Sequence, residues 1–461
     1  MTDAIEHASL APPGSVGLRG SRREGSPLRN GRAPAAGLPT AARRGVLALA
    51  DQAAVSGTAF VTTIVLGRVC GPEELGVFSL GFTVIVMAIC VQDSLVSAPY
   101  TVFSPRLAGR SRALYAGSTL AFAGLLAIAI VACLGAAGGL GALATGSRRI
   151  LPVLGAIAAA VPLVLLREFA RRLAFAGLEM ATALVVDGAV AAIQLAGLGL
   201  LVVTGLLSAA SVLALIGAAC GLVGIGWLIG ARSRFAYHRN EVADDWRQNW
   251  RFGRWVLAAQ STAVANNYAT HWLLAALLGT AATGSLAACM SVVALANPLL
   301  LGAGNLLSPS AARAWSETGA GRLHALVTRS SWLIGAAIAL ACGLVVCFGD
   351  RIMALFYGHA YAGLGHLLVV VAASYLVSAL GLAPAHGLFA MERSDWNFYP
   401  SILGVAITLL AGAGLAVPFG ITGAAYGFLL GNITKTAGTY IAYRRILSQG
   451  LRPPFGDHDA G

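Results

Sequence analysis

The chain has 461 residues, of which 57% are hydrophobic and 11% are charged, and its mean hydropathy is +0.77. This composition excludes a soluble globular protein, whose surface needs more charge, and predicts a membrane protein with several spans. The net charge of +12 is accounted for by membrane topology and by attraction to anionic lipid head groups, so nucleic-acid binding is not needed to explain it.

The first predicted element is a tail, residues 1–42, that is rich in Pro, Gly, Ser and Arg. We expect this tail to be disordered, and it is not a signal peptide because no apolar region precedes Gly45. A helix needs about 20 mostly apolar residues to cross the hydrocarbon layer, and about twelve such stretches follow the tail. They lie near 45–68, 75–99, 114–134, 150–166, 181–203, 209–229, 256–278, 282–306, 330–348, 364–382, 401–417 and 421–443.

The basic residues support this topology. With a cytoplasmic N-terminus, 26 of the 31 Lys and Arg residues fall in cytoplasmic segments, as the positive-inside rule requires. The sequence therefore predicts cytoplasmic N- and C-termini, six-helix lobes at 43–230 and 251–445, a linker at 231–250 and a tail at 446–461. The predicted fold class is an all-α polytopic membrane protein with about 12 transmembrane helices in two six-helix bundles.

The first predicted helical hairpin is repeated 208 residues later, with nine identities in 34 aligned positions. The identical pairs are Arg43/Arg251, Gly45/Gly253, Leu49/Leu257, Ala50/Ala258, Gln52/Gln260, Thr62/Thr270, Leu66/Leu274, Gly71/Gly279 and Gly76/Gly284. Two homologous membrane halves are typical of transporters. Because six helices separate the copies, we expect parallel repeats, with the substrate at positions where the copies differ.

Ionisable residues inside membrane helices are costly unless they face a cavity or a partner. Three aspartates lie toward the predicted cytoplasmic ends of their helices, near a charged cluster. The aspartates are Asp51, Asp93 and Asp187, and the cluster is Arg167, Glu168, Arg171 and Arg172. Two interpretations remain open: local ion pairs, such as Asp187 with Arg171, or coupling of transport to a proton or sodium ion. The chain's only lysine, Lys435, lies deeper, inside the last predicted helix.

Neutral polar residues are concentrated in the predicted hairpin of the second half. Asn266, Asn267 and His271 lie near the middle of one helix, and Asn267 and His271 are one turn apart. Asn297 precedes Pro298 in the next helix, where the proline frees a backbone carbonyl and bends the helix. These residues predict the lining of a cavity, although polar contacts between helices are the competing explanation.

The predicted linker leads into this hairpin as an amphipathic segment. Arg247, Arg251 and Arg254 share one helical face, which predicts either a basic entrance for an anionic head group or ordinary membrane anchors. On the other side of the membrane, Gly71-Pro72-Glu73-Glu74 is typical of one helix ending and the next beginning. The loops there are too small for a catalytic domain, so we expect no enzyme, and the seven cysteines show no metal or disulfide spacing.

Two motifs in these hairpins resemble a known family. The segment from Leu66 to Leu80, LGRVCGPEELGVFSL, resembles the LGR-x-LGPEEFGxFSL signature of bacterial polysaccharide transporters, the Wzx-like branch of the MOP flippase superfamily. The segments Asn266-Asn267-Tyr268 and LLGTAATG, ending at Gly284, are similar to the second-half hairpin of the same family. The resemblance implies a MATE/MOP-like pair of bundles around a central cavity.

The resemblance also implies a function. It points to a flippase that moves a polyprenyl-pyrophosphate-linked oligosaccharide, or a polysaccharide intermediate, across the bacterial inner membrane without a cofactor. A polysaccharide polymerase and glycosyltransferases are its expected partners, beside membrane lipids. A pyrophosphate needs cations in a wet cleft, for which the candidates are Lys435, Arg68, Arg171 and Arg251. The chain departs from this expectation in having few deep cations.

Two rival functions remain. A MATE-like antiporter of small organic cations would use Asp51, Asp93 or Asp187 for the coupling ion. A membrane polysaccharide polymerase or ligase would need a large outer loop with catalytic Arg or His, where only His359 and His366 are available.

Overall fold

The described residues of the computed structural model are 40–145, 151–177, 179–393 and 395–449, and within them the fold is helical, without a strand. Residues 1–39 of the N-terminal tail, which the sequence predicts to be disordered, lie outside them, and so does most of the C-terminal tail; the last three residues of the predicted N-terminal tail, 40–42, belong to a helix. The helices are α1 Thr40–Gln92, α2 Ala98–Phe103, α3 Gly109–Thr145, α4 Leu151–Ala176, α5 Met180–Thr204, α6 Ala209–Gly230, α7 Arg239–Leu278, α8 Thr280–Val293, α9 Asn297–Thr318, α10 Ala320–Tyr357, α11 Gly365–Leu380, α12 Leu382–Ala390 and α13 Asp395–Ser448.

The predicted all-α membrane fold is confirmed. Nine segments of the described chain are long and apolar enough to cross a membrane. Two of them, containing α1 and α13, are broken at Gly71 and Gly420, where the backbone leaves the helical region. The helix α7 is not among the nine because its first half is charged and because Asn266, Asn267 and His271 lower the mean hydropathy of its uncharged second half. The count of twelve spans and the lobe boundaries stay predictions.

The sequence repeat is present in the backbone. Gly71 has φ 84° and ψ −178°, and its counterpart Gly279 has φ 88° and ψ 179°. Residues with a side chain are strained in this region, whereas glycine adopts it freely. Each glycine therefore ends one helix of its hairpin and starts the next in the same way.

Prolines interrupt two further helices. The 3-10 turn Ala294–Ala296 separates α8 from α9, directly before Asn297 and Pro298, as predicted for this proline. A π-helical turn, Asp93–Ser97, lies between α1 and α2 and precedes Pro99. Pro99 cannot donate a backbone hydrogen bond, so the regular α-helical bonding is interrupted in the preceding turn. The helix α7 packs closely against this turn, because a Cβ on Gly253 would lie 2.6 Å from the Ser94 carbonyl oxygen.

Small residues allow close packing inside each half. In the first half, a Cβ on Gly217 of α6 would lie 2.7 Å from the Ala160 Cβ of α4. In the second half, Gly404 and Gly431 bring the two segments of α13 together. Such contacts are the usual basis of helix association in membranes, where lipid is as apolar as the helix surface.

The two halves meet at a pair of repeat-related glycines. A Cβ on Gly76 would clash with the Thr280 carbonyl oxygen, and a Cβ on Gly284 would clash with the Pro72 carbonyl oxygen. Because Gly76 and Gly284, like Pro72 and Thr280, are counterparts in the repeat, this contact is pseudo-symmetric. We call the contact between Gly76 and Gly284 the glycine seal.

Bulky side chains reinforce the seal nearby. Gly67 faces the buried rings of Tyr357 and Tyr361, with a built Cβ 2.8 Å from the Tyr357 ring. Arg68 donates a hydrogen bond from Nη1 to the Leu355 carbonyl oxygen at 2.7 Å. The two halves are therefore in tight contact at the end of the molecule where Gly71 and Gly279 turn.

Candidate functional site

Three adjacent cavities, each of about 280 Å³, lie along the inner helices. The N-cavity is enclosed by α1, α4, α5 and α6, and the central cavity lies between α1 and the hairpin of α7, α8 and α9. The C-cavity is enclosed by α7, α8, α9, α11 and α13. Val55 and Phe78 line both the N-cavity and the central cavity, and Tyr268 and Asn297 line both the central cavity and the C-cavity. Together the cavities form one cleft across both halves.

A buried ion cluster built on α4 borders the N-cavity, whose lining includes its members Arg167, Glu168 and Asp187. Arg167 pairs with Glu168 and lies 2.5 Å from an Asp187 carboxylate oxygen. Arg171 lies 2.7 Å from the other Asp187 oxygen and donates a hydrogen bond to Asp51 at 3.0 Å. Three helices, α1, α4 and α5, therefore meet through charge. The predicted pairing of Asp187 with Arg171 is confirmed.

The cluster holds an excess of acid. Asp51, Glu168 and Asp187 are all buried and share only the two guanidinium groups of Arg167 and Arg171. With every group ionised, the cluster carries a net formal charge of −1. A buried excess charge is costly, so this arrangement favours uptake of a proton or a small cation.

Asp93 lies apart from the ion cluster. One of its oxygens is 3.0 Å from Arg172 Nε, and the other accepts a hydrogen bond from Gln260 Nε2 at 3.1 Å. Because Gln260 is on α7, Asp93 links the π-helical turn of the first half to the second half. The three predicted coupling aspartates are thus divided between two environments.

The central cavity is lined by apolar and neutral polar side chains. Phe60, Phe78 and Phe82 form much of its wall, and the buried His271 ring faces it from α7. Ser291 shares a hydrogen bond with Tyr357, which connects the cavity to the glycine seal. Among the described residues that line it, none carries a formal charge at neutral pH.

The C-cavity is lined by amides and hydroxyls. Asn267, Asn297 and Asn432 come from three helices, and Tyr375 donates a hydrogen bond to Asn297 Oδ1. Asn432 donates to the Phe428 carbonyl at 3.2 Å, and its Oδ1 accepts from Asn266 Nδ2 at 3.5 Å. The described lining of this cavity also contains no charged side chain.

Lys435 lies one turn after Asn432 on α13. Its Cβ and the Asn266 Oδ1 atom both border Gly404, at 3.0 and 3.7 Å from a built Cβ. No carboxylate lies within ion-pair distance of Lys435 in the described part of the chain. The Asn266 Oδ1 atom is buried and lacks a hydrogen-bond partner there.

The structure brings together only some of the predicted site residues. Asn267, His271 and Asn297 line the cavities as predicted, and Asp187 lines the N-cavity. The other predicted cations take different positions. Arg68 lies beside the glycine seal, Arg171 belongs to the ion cluster, and Arg251 is exposed on the charged half of α7.

Sequence reasoning missed several lining residues. Asn432 and Tyr375 complete the C-cavity, and Gln194 donates to Thr62 at 2.9 Å in the N-cavity. The signal for Gln194 was its place in the same helix as Asp187, two turns further on. Tyr375 carried no signal because its partner Asn297 is 78 residues away in the sequence.

Solved structures share this architecture at low sequence identity. An inward-facing multidrug resistance MATE family transporter of the MOP superfamily superposes with a TM-score of 0.66 at 15% identity, covering 88% of this chain and 95% of that one. A MOP superfamily transporter from Pyrococcus furiosus, described by a reversed polarity of its binding pocket, gives 0.62 at 12%, with the same coverage. A Vibrio cholerae MATE transporter gives 0.61 at 15%, covering 88% and 96%.

These similarities establish a MATE/MOP-like fold for the chain. No curated protein matches the sequence significantly. The profile of the family described as polysaccharide biosynthesis protein matches residues 43–315, which is more than half of the chain. The protein is therefore a multi-pass membrane protein of MATE/MOP-like fold that belongs to the polysaccharide biosynthesis protein family.

Proposed function

We propose that the protein is a flippase that moves a polyprenyl-pyrophosphate-linked oligosaccharide across the bacterial inner membrane by alternating access. The observation that carries this proposal is the neutral, polar character of the central cavity and the C-cavity. Sugar hydroxyls need hydrogen-bond partners rather than charge, whereas a buried organic cation is favoured by a carboxylate, and the described lining of these two cavities contains none. Membership of the polysaccharide biosynthesis family supports the same substrate class.

Lys435 is the best-placed cation for the pyrophosphate. It lies one turn from the C-cavity residue Asn432 and has no described carboxylate partner, so its charge is available to an anion. Arg171 is less suitable because three carboxylates already contact it. Arg68 and Arg251 lie outside the three cavities, where they are suited to steering a head group toward the cleft rather than holding it.

The glycine seal supports alternating access. In the predicted topology Gly71 and Gly279 face the periplasm, so the seal closes the cleft on that side. The proposed transport cycle separates Gly76 from Gly284 to release the substrate into the outer leaflet. By the same topology, both termini lie in the cytoplasm. In this proposal glycosyltransferases build the substrate on the cytoplasmic side, and a polymerase uses it on the periplasmic side.

Coupling to an ion is assigned to the N-cavity. The ion cluster has a net formal charge of −1, so it is expected to take up one proton or sodium ion through Asp51 or Asp187. Asp93 is a weaker candidate because Arg172 balances its charge. The same excess charge is the specific observation that favours the second candidate function, a MATE-like antiporter of organic cations.

Reconstitution separates these functions. Purified protein in liposomes is given fluorescent polyprenyl-pyrophosphate oligosaccharide in one experiment and a fluorescent organic cation in another, each with and without a proton or sodium gradient. We expect gradient-dependent movement of the lipid-linked sugar to the opposite leaflet and no uptake of the cation. Uptake of the cation without movement of the lipid would establish the antiporter and reject the flippase.

A further inference from the structure

We propose that the C-cavity is a carbohydrate subsite that holds one sugar ring of the transported head group. This inference rests on the proposed function and extends it by assigning a place and a binding chemistry to the sugar. Four helices contribute to the subsite: Asn267 from α7, Asn297 from α9, Ser378 and Tyr375 from α11, and Asn432 from α13.

The hydrogen-bonding capacity of the cavity is not used up by the protein. Asn297 accepts from Tyr375 through Oδ1, so its Nδ2 donors remain without a described partner. Asn267 has an exposed side chain, lines the cavity, and makes no described hydrogen bond through either end of its amide. A primary amide offers two donors and one carbonyl acceptor side by side, which matches two adjacent hydroxyls of a sugar.

The remaining amide is held in place by its neighbours. Asn432 donates to the Phe428 carbonyl and accepts from Asn266, so its orientation is fixed before any ligand arrives. Preorganised polar groups lose little entropy on binding. The Tyr268 ring adds an apolar surface on which the C–H face of a sugar can rest, and it lies at the boundary with the central cavity.

Charge and size restrict the ligand. No described residue lining the cavity is charged, so neither an organic cation nor a pyrophosphate finds a counter-ion inside it. The volume of about 280 Å³ is slightly below the range of roughly 300–1,000 Å³ typical of pockets for whole drug-sized ligands. One sugar ring therefore fits, and the rest of the head group lies in the central cavity.

Polar contact between helices is the alternative explanation for these amides. It accounts for Asn266, which is buried and bonded to Asn432 on another helix. It does not account for Asn267, which lines the cavity, is exposed and makes no described hydrogen bond to a neighbouring helix. The equivalent residue in the first half is Ala59, so the shared hairpin does not itself require an amide at this position.

Binding of two matched lipids tests the subsite. The probes are a fluorescent polyprenyl-pyrophosphate that carries a short oligosaccharide and the same polyprenyl-pyrophosphate without sugar, each titrated into the full-length protein in nanodiscs. We expect Asn267→Leu to weaken binding of the glycosylated lipid by about tenfold, the effect of one or two lost hydrogen bonds. Binding of the lipid without sugar should be unchanged.

Control variants make the result decisive. Thr262→Val changes a half-buried residue of the same helix that lines none of the three cavities and whose hydroxyl bonds only to the Ala258 carbonyl, so it should leave both affinities unchanged. Asn267→Gln, which keeps the amide, should recover part of the selectivity. If Asn267→Leu does not fold, as judged by gel filtration, Ser378→Ala replaces it, with a smaller selective loss expected.

The outcomes separate the subsite from the proposed function. An equal loss for both lipids, or no loss for either, would overturn the subsite while leaving the flippase intact. If the wild-type protein binds neither lipid, the proposed function itself fails. A selective loss for the glycosylated lipid alone supports both.

Discussion

The N-cavity and the C-cavity occupy the two halves of one repeat, yet their linings are opposite in chemistry. At the N-cavity, the lining residues Arg167, Glu168 and Asp187 belong to a cluster of three buried carboxylates and two arginines that pair with each other. In the C-cavity, amides and hydroxyls remain neutral and partly free. The backbone of the hairpins is nevertheless the same, because Gly71 and Gly279 share one conformation and Gly76 and Gly284 share one contact.

This difference indicates how the two halves divide their tasks. Shared glycines fix the hairpins, while several residues that differ between the copies line the cavities or belong to the ion cluster. Asn267 replaces Ala59, and Asp51 is replaced by Ala259. In the proposed function, the charged N-cavity is suited to an ion, and the neutral C-cavity is suited to sugar hydroxyls. Four experiments test this division, beginning with the largest expected effect.

Removal of Arg167 should lower the folding stability of the first half more than any other substitution considered below. Arg167→Ala leaves Asp187 and Glu168 buried with one fewer counter-ion, which costs about 3–5 kcal/mol of folding free energy for a buried pair. The measurement is thermal and denaturant unfolding in detergent. Arg247→Ala is the control, since its pair with Asp244 is 79% exposed on both sides and should contribute about 0–1 kcal/mol. A similar small loss for both variants would contradict a charge-stabilised first half.

Alanine substitutions at the two glycines of the glycine seal should have similar effects. Gly76→Ala and Gly284→Ala each place a methyl group against a carbonyl oxygen, so each should cost about 1–3 kcal/mol and separate the halves. Spin-label distances between α1 and α8 report the separation. Gly57→Ala in α1, whose new Cβ meets nothing within 4 Å, should be neutral or slightly stabilising. An effect of only one seal variant would show that the contact is not symmetric.

Lys435 tests the second half. Lys435→Ala should reduce movement of the lipid-linked sugar about tenfold, equivalent to about 1.4 kcal/mol, because a pyrophosphate loses its counter-ion. Folding should be unaffected, since no described carboxylate depends on this lysine. Lys435→Arg should keep most of the transport. Unchanged flipping by the alanine variant would reject the assigned role.

The fold was largely predictable because it follows from composition and from a few special residues. Apolar length predicted a membrane bundle, the paired glycines predicted the hairpin turns, and Pro298 predicted the break before α9. The π-helical turn at Asp93–Ser97 was not predicted. Pro99 gives a local signal for it, but the close approach of Gly253 that accompanies the turn comes from packing between elements distant in sequence.

The site was predictable only where charge or local spacing pointed to it. The pairing of Asp187 with Arg171 followed from the cost of isolated charge in a membrane, and the α7 amides followed from their spacing. The other contacts of the arginines could not be predicted, because the sequence does not show that Arg171 pairs with further carboxylates or that Arg68 bonds to a backbone carbonyl. Asn432 joins the C-cavity only because the second segment of α13 packs against α7.

Glu74 provides the smallest and most local test of the asymmetry between the halves. Its carboxylate accepts a hydrogen bond from the Ala209 backbone amide at 2.6 Å, and so satisfies one of the free N–H groups at the start of α6. The repeat places Ala282 at the equivalent position, so the second half lacks this cap. Glu74→Ala should therefore cost about 1 kcal/mol and raise hydrogen exchange at the start of α6, whereas Glu73→Ala, at an exposed position, should change neither. Equal effects of the two variants would mean that Glu74 acts through general charge rather than through this hydrogen bond.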